Sequence, residues 1–142
     1  AYGQSELVKK LCAEFQTTDT CAVHVRGGDI IGPGRAFFER ALARMEKERP
    51  GLRYLVFTND REAAKEALEG EHTERKMTYI SELGAFSDID EFFLMAACRH
   101  QIISNSSYST WAAYLNPNPE KVVIMPEYKG CEQIRLKEWI VL

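Results

Sequence analysis

The chain has no apolar run long enough to span a membrane, and no signal peptide is visible at Ala1. It has no C-x-x-C pair, and its three histidines are scattered, so no metal-ligand spacing is present. It has no basic block either: acidic residues outnumber basic ones by 21 to 18, giving a net charge of −3. That balance argues against nucleic acid as the main partner. Two phosphate-binding signatures are missing as well. No Gly-Lys-Ser/Thr follows a glycine loop, which excludes a Walker loop, and the G-x-G-x-x-G dinucleotide fingerprint does not occur. The four cysteines, Cys12, Cys21, Cys98 and Cys131, show no disulfide framework. Three of them lie within apolar patterns, as buried free thiols in a reducing compartment do. Cytoplasmic placement, or peripheral placement at the cytoplasmic membrane, is the expectation.

What is present fits one soluble domain over residues 1–142, with 45% apolar and 27% charged residues. Strand and helix patterns alternate at short spacing. Leu7, Val8, Leu11, Cys12 and Phe15 form the stripe of a first helix behind Ser5. Strand patterns follow at Cys21–Val25, Arg53–Thr58, Lys76–Ile80, Gln101–Ser104 and Lys121–Met125. Helical patterns start at Arg35, after Asn59-Asp60, at Ser87-Asp88 and after Ser107, and a last helix is expected over Glu132–Trp139. The alternation predicts an α/β fold: a Rossmann-like parallel sheet of about five strands with helices on both faces. Such sheets bind ligands outside the carboxyl ends of their strands.

The polar signals fall in the loops at those ends. Ser104-Asn105-Ser106-Ser107 separates an apolar run from a helix with Tyr108, Trp111, Ala112 and Leu115 on one face. A strand opening directly into a helix leaves free N–H donors and a favourable dipole for an anion. Simple capping is the commoner role of such serines. Asn105-Ser106-Ser107 also matches a glycosylation sequon. Arg26 ends a strand before two glycines, where a guanidinium can grip a diphosphate in bidentate fashion; a salt bridge with Asp29 is the plainer alternative. Taken singly, His24 reads as a core histidine, Asp60 as a helix cap and Glu91 as a solvated first-turn acid. Together these residues describe a site for a sugar nucleotide or another diphosphate.

His24-Val25-Arg26-Gly27-Gly28-Asp29 resembles the His-x-Arg-Arg-x-Asp motif of α-1,2- and related fucosyltransferases. Tyr54 to Asp60, an apolar strand ending in Thr-Asn-Asp, resembles their second motif. The third match is the most specific. Glu91-Phe92-Phe93-Leu94-Met95, Cys98-Arg99-His100 and Ser104 to Trp111 resemble the family's Asp-x-x-Leu-Met, Cys-Lys-His and Asn-Ser-Ser-Phe-Ser-Trp-Trp run. Order and spacing agree from about His24 to Tyr128.

The resemblance implies the nucleotide-sugar half of a GT-B-like enzyme that transfers fucose from GDP-fucose to a galactoside, with inversion and without a metal or other cofactor. By the same resemblance, Arg26 neutralises the diphosphate leaving group, and Asn105, Ser106, Ser107 and Ser109 hold phosphates. His24 and Glu91 contact the guanosine, and Gly27 and Asp60 lie in the donor-binding motifs. Asp29 is a base candidate by position. Three residues depart from the pattern: Gly27 replaces an arginine, Glu91 an aspartate and Thr110 a tryptophan. The chain is expected to lack an N-terminal acceptor half. Weak GDP binding, little transfer and self-association through the uncovered face follow from that. The rival expectation is a non-catalytic nucleotide-binding or regulatory module.

Overall fold

In the computed structural model, which describes residues 3–27, 33–69 and 75–142, strand β1 (Thr20–Val25) lies inside the sheet and is buried along its whole length. Its neighbours are β2 (Arg53–Thr58) on one side and β4 (His100–Ile102) on the other, both parallel to it. Strand β3 (Lys76–Tyr79) extends the sheet beyond β2, and β5 (Val123–Met125) beyond β4. The order is β3-β2-β1-β4-β5-β6, with β6 the two-residue strand Ile140–Val141, so the chain travels outward from β1 to β3 and then crosses back to β4 on the other side of β1. That order is the Rossmann-like arrangement, with its switch point at the ends of β1 and β4.

Both faces of the sheet are covered, which is why β1 and β2 read as continuous apolar runs. Cys21, Val23, Tyr54 and Val56 point to one face, against α2 (Arg35–Glu48) and α3 (Arg61–Leu68). Ala22, Leu55 and Phe57 point to the other, against α1 (Glu6–Thr17) and α4 (Asp88–Ala97). Phe38, fully buried on α2, packs in the first cluster; its truncation to alanine would cost about 3–5 kcal/mol.

The C-terminal tail differs from the sequence expectation. The last helix, α6, is only Cys131–Ile134. The chain then runs back to the sheet, where Ile140–Val141 forms β6 beside β5. The sheet therefore has six strands rather than about five. Trp139 explains the difference: its side chain is buried with Ile103, Met125 and Cys131, and this anchor brings the tail onto the sheet edge.

Helix α5 (Ser107–Leu115) also departs from its expected pattern. Its inward face is made of Ser109, Thr110, Ala112 and Ala113, while Trp111 and Leu115 are 59% and 53% exposed. Small inward residues let the helix approach the sheet closely. At its C-terminus, the Lys121 ammonium donates to the Ala113 and Asn116 carbonyls at 2.7 and 3.1 Å. A cation there satisfies the exposed carbonyls and the dipole. Gln101, buried in β4, donates to the Met95 and Cys98 carbonyls at the end of α4 and accepts from Asn116. These bonds fix the C-terminal ends of α4 and α5, and so aim both helix starts at the carboxyl edge of the sheet. Among the described residues no helix is long and apolar enough to cross a membrane, and all four cysteines are free thiols.

Candidate functional site

A cleft of about 390 Å³ opens at the carboxyl ends of β1 and β2, against the first turns of α4 and α5. His24 and Arg26 come from β1 and the loop after it. Phe57, Thr58 and Asn59 come from the end of β2, Asp88 and Glu91 from α4, and Ser106, Ser107 and Tyr108 from the start of α5. This is the switch point of the sheet, where the topology places a ligand site. Five residues named from sequence therefore share one cleft: His24, Arg26, Glu91, Ser106 and Ser107.

The start of α5 is the least satisfied of the longer polar-capped helices. Ser5 caps α1 by accepting from the Val8 N–H at 3.2 Å. Asp60 caps α3 by accepting from the Ala63 N–H at 3.1 Å, and Ser87 caps α4 by accepting from the Asp90 N–H at 3.1 Å. Ser106 holds the same position on α5, yet its hydroxyl makes no capping bond. The simple capping role open to the serine cluster is thus absent at Ser106. An uncapped first turn presents N–H donors and the positive end of the dipole, an arrangement suited to an anion.

Arg26 faces the cleft from the other side. Among the described residues no carboxylate lies within ion-pair distance of it. Asp29, its expected partner and the base candidate, lies outside the described residues, as does Gly28.

His24 is 9% exposed and sits 2.8 Å from the Ser104 hydroxyl through Nδ1. Its ring also lies 5.7 Å from that of Tyr108. Burial, and then the neighbouring Arg26 charge, lower its pKa to about 4. The imidazole is therefore neutral at physiological pH and offers the cleft hydrogen bonding rather than charge. Tyr108 donates to the Asp88 carbonyl at 2.7 Å, which ties the first turns of α4 and α5 together over the cleft.

Glu91 is half-buried in the first turn of α4, and burial, then the charges of Asp88 and Asp90, push its pKa upward. Asp90 is engaged elsewhere, accepting from the Ser87 N–H in the reciprocal cap of the helix. Glu91 and Asp88 are thus the carboxylates of this turn that reach the cleft. Glu91 also lines a second cavity of about 400 Å³, with Thr58, Tyr79, Ser81 and Phe86. Thr58 and Glu91 are common to the two hollows. The walls of the second hollow come from the end of β2, from Glu91 and from the loop after β3, one of the loops at the carboxyl ends of the strands.

The remaining expected residues lie beside the cleft rather than along it. Ser109 is fully buried and hydrogen-bonds inward, accepting from the Ser104 N–H at 3.3 Å and donating to the Ser106 carbonyl at 3.4 Å. It shapes the loop between β4 and α5. Asn105 is half-buried in that same loop. Asp60 is engaged as a cap, and Gly27 lies against it. Among the described residues no group of histidine, cysteine, aspartate or glutamate side chains is arranged to hold a metal ion.

Comparison with known proteins agrees with this geometry. The model of glycosyl transferase family 11 matches residues 6–142. The chain is also similar to the O-antigen biosynthesis glycosyltransferase WbnK of Escherichia coli, at 30% identity over 130 residues. That match covers 83% of this chain and 40% of WbnK, so the chain spans less than half the length of this relative.

Proposed function

The chain belongs to glycosyl transferase family 11, and on that premise we propose that its cleft binds GDP-fucose as the sugar donor. The observation that carries this reading is that Arg26, with no ion-pair partner among the described residues, faces an uncapped helix start across one cleft. A guanidinium and a set of N–H donors suit the diphosphate of a sugar nucleotide, and they serve it without a metal.

The second hollow suits the base. Glu91 stands where the two hollows meet, and a carboxylate can accept from both N1–H and N2–H of guanine. Its raised pKa reflects burial and then the charges of Asp88 and Asp90, and donors from the guanine edge would offset the cost of keeping it ionised. His24, neutral and held by Ser104, offers a hydrogen bond near the nucleoside or the phosphates. During transfer, Arg26 and the start of α5 would stabilise the charge that develops on the departing diphosphate. An acceptor hydroxyl of a galactoside would attack the anomeric carbon from the opposite side, inverting it. Ser107, exposed at the cleft, and Ser106, its buried neighbour, would contact the phosphates.

Calorimetry with GDP and UDP tests the donor assignment. GDP is expected to bind much more tightly; equal affinity would sink the guanine reading. One observation favours a second reading, a nucleotide-binding module without transfer chemistry: Gly27 leaves Arg26 as the one cation among the described lining residues. A transfer assay with GDP-fucose and simple galactosides tests the second reading. Little or no turnover by the 142-residue chain, alongside GDP binding, is the expected result; robust turnover would exclude the second reading.

A further inference from the structure

The register of the sheet pairs Val25 with Thr58 as the last rung between β1 and β2. Beyond it the main chains no longer pair. Instead, the Asn59 side chain meets the Gly27 peptide from both sides. The Gly27 N–H donates to Asn59 Oδ1 at 2.8 Å, and Asn59 Nδ2 donates to the Gly27 carbonyl at 3.4 Å. A primary amide has one acceptor and one donor side by side, so it can stand in for the next rung of a ladder. Arg26 lies between this added rung and the last true one.

The neighbouring residue fixes the approach. A Cβ at position 27 would fall 2.5 Å from Asp60 Cβ and 3.0 Å from its Oδ2. Asp60 has little room to yield. Its carboxylate caps α3, and its main-chain N–H donates to the Thr58 hydroxyl at 3.0 Å, which donates back to the Asp60 carbonyl at 3.0 Å. Only glycine lets the β1 loop come this close. The residue that stands in place of the family's second arginine is therefore a packing requirement of this chain.

We infer that Asn59 is a positioning residue that grips the Gly27 peptide and thereby holds Arg26 toward the diphosphate of the ligand. The inference rests on the proposed donor site and gives Asn59, which also lines the cleft, a role exerted through Arg26. The pairing restricts the main chain after Arg26 as the Val25–Thr58 rung restricts it before, so the guanidinium meets the ligand from a fixed base. Preorganisation of this kind lowers the entropy lost on binding. The same pairing ties the end of β2 to the end of β1, and Phe57 and Thr58 line the same cleft.

A double-mutant cycle with Arg26→Ala and Asn59→Ala tests this in the 142-residue chain, with GDP affinity read by calorimetry and folding by thermal melts. Asn59→Ala is expected to weaken GDP about tenfold in the wild-type background and less than about twofold when Arg26 is already alanine. Guanosine, which has no phosphate, should bind Asn59→Ala and the unaltered protein equally. Gly27→Ala, which forces the loops apart without touching Asn59, should reproduce the loss for GDP. Equal losses in both backgrounds, or equal losses for guanosine and GDP, would show a general structural role and overturn the inference. GDP binding that is unchanged in Asn59→Ala would overturn it too, while leaving the donor site standing. If the unaltered chain fails to bind GDP, the donor assignment itself fails and takes this inference with it.

Discussion

Arg26→Ala is the sharpest perturbation of the proposed site. Arg26 is half-buried and has no ion-pair partner among the described residues, so its removal breaks no ion pair among them. Surface changes of that kind usually shift stability by less than about 0.5 kcal/mol. The effect on a bound diphosphate is of another size. A unit charge about 4 Å from a phosphate, at an effective dielectric near 20, gains about 4 kcal/mol. Losing one member of such a pair costs about 2–5 kcal/mol of binding, or roughly thirtyfold to several thousandfold in Kd. Calorimetry with GDP reads the loss, and a thermal melt checks that the fold is unchanged. A second signal comes from inside the protein. Arg26 is one of the two charges and environments that hold the His24 pKa down to about 4, so its removal should raise the His24 titration, which NMR follows directly. GDP affinity within twofold of the unaltered protein would refute the assignment of Arg26 to the phosphates. A His24 titration that stays in place would refute the electrostatic account of the cleft.

Glu91→Gln should weaken GDP while leaving the weak binding of UDP nearly unchanged, because only guanine offers two donors to a carboxylate; parallel losses would place Glu91 outside the base pocket. GDP binding should survive EDTA, since Arg26 and the start of α5 supply the positive charge; a strict need for Mg²⁺ or Mn²⁺ would refute this. Stability should fall as pH drops from about 6.5 toward 4. Buried His24 has its pKa lowered from 6.5 to about 4, so the unfolded chain binds more protons in that window, and the native state loses on the order of 3 kcal/mol across it. His100, lowered to about 4 by burial and then by Arg49 and Arg99, adds to the same slope. Chemical denaturation at pH 7 and pH 5 should show a smaller difference in His24→Gln; an identical difference would contradict the neutral, buried histidine.

How much of this was readable in advance followed the range of the interactions. The parallel sheet was legible because Arg53–Thr58 is apolar without alternation, as a strand covered on both faces must be. The Asp60 and Ser87 caps were legible because each acts within three residues of itself. Strand β6 was not, since two residues, Ile140 and Val141, carry no period, and the burial of Trp139 that brings them to the sheet is a tertiary effect. The α5 stripe misled for a related reason: Trp111 and Leu115 have apolar spacing, but small residues are what the sheet accepts beneath that helix. At the site, the motif residues His24, Arg26, Glu91, Ser106 and Ser107 converge as their shared position at strand ends implied. The contact of Asn59 with Gly27 spans 32 positions in sequence, and no local pattern announces it.

The charge balance of the cleft decides what transfer would require. A departing nucleoside diphosphate gains negative charge as the glycosidic bond breaks. Against it the described lining residues set one guanidinium and the open start of α5, equivalent to roughly half a positive charge. His24 adds none at neutral pH, because its pKa lies near 4. Asp88 and Glu91 oppose it, unless Glu91 is engaged with the base. Where the family pattern has a second arginine, this chain has Gly27, and the approach of Asp60 leaves no room there for a side chain. On the proposed reading, the arrangement suits a diphosphate already carrying its charge. It is sparse for stabilising the additional charge of the transition state, and preorganised positive groups are what accelerate that step. Binding and catalysis thus make different demands on the same cleft, and GDP affinity measured together with transfer separates a donor site that also catalyses from one that only binds.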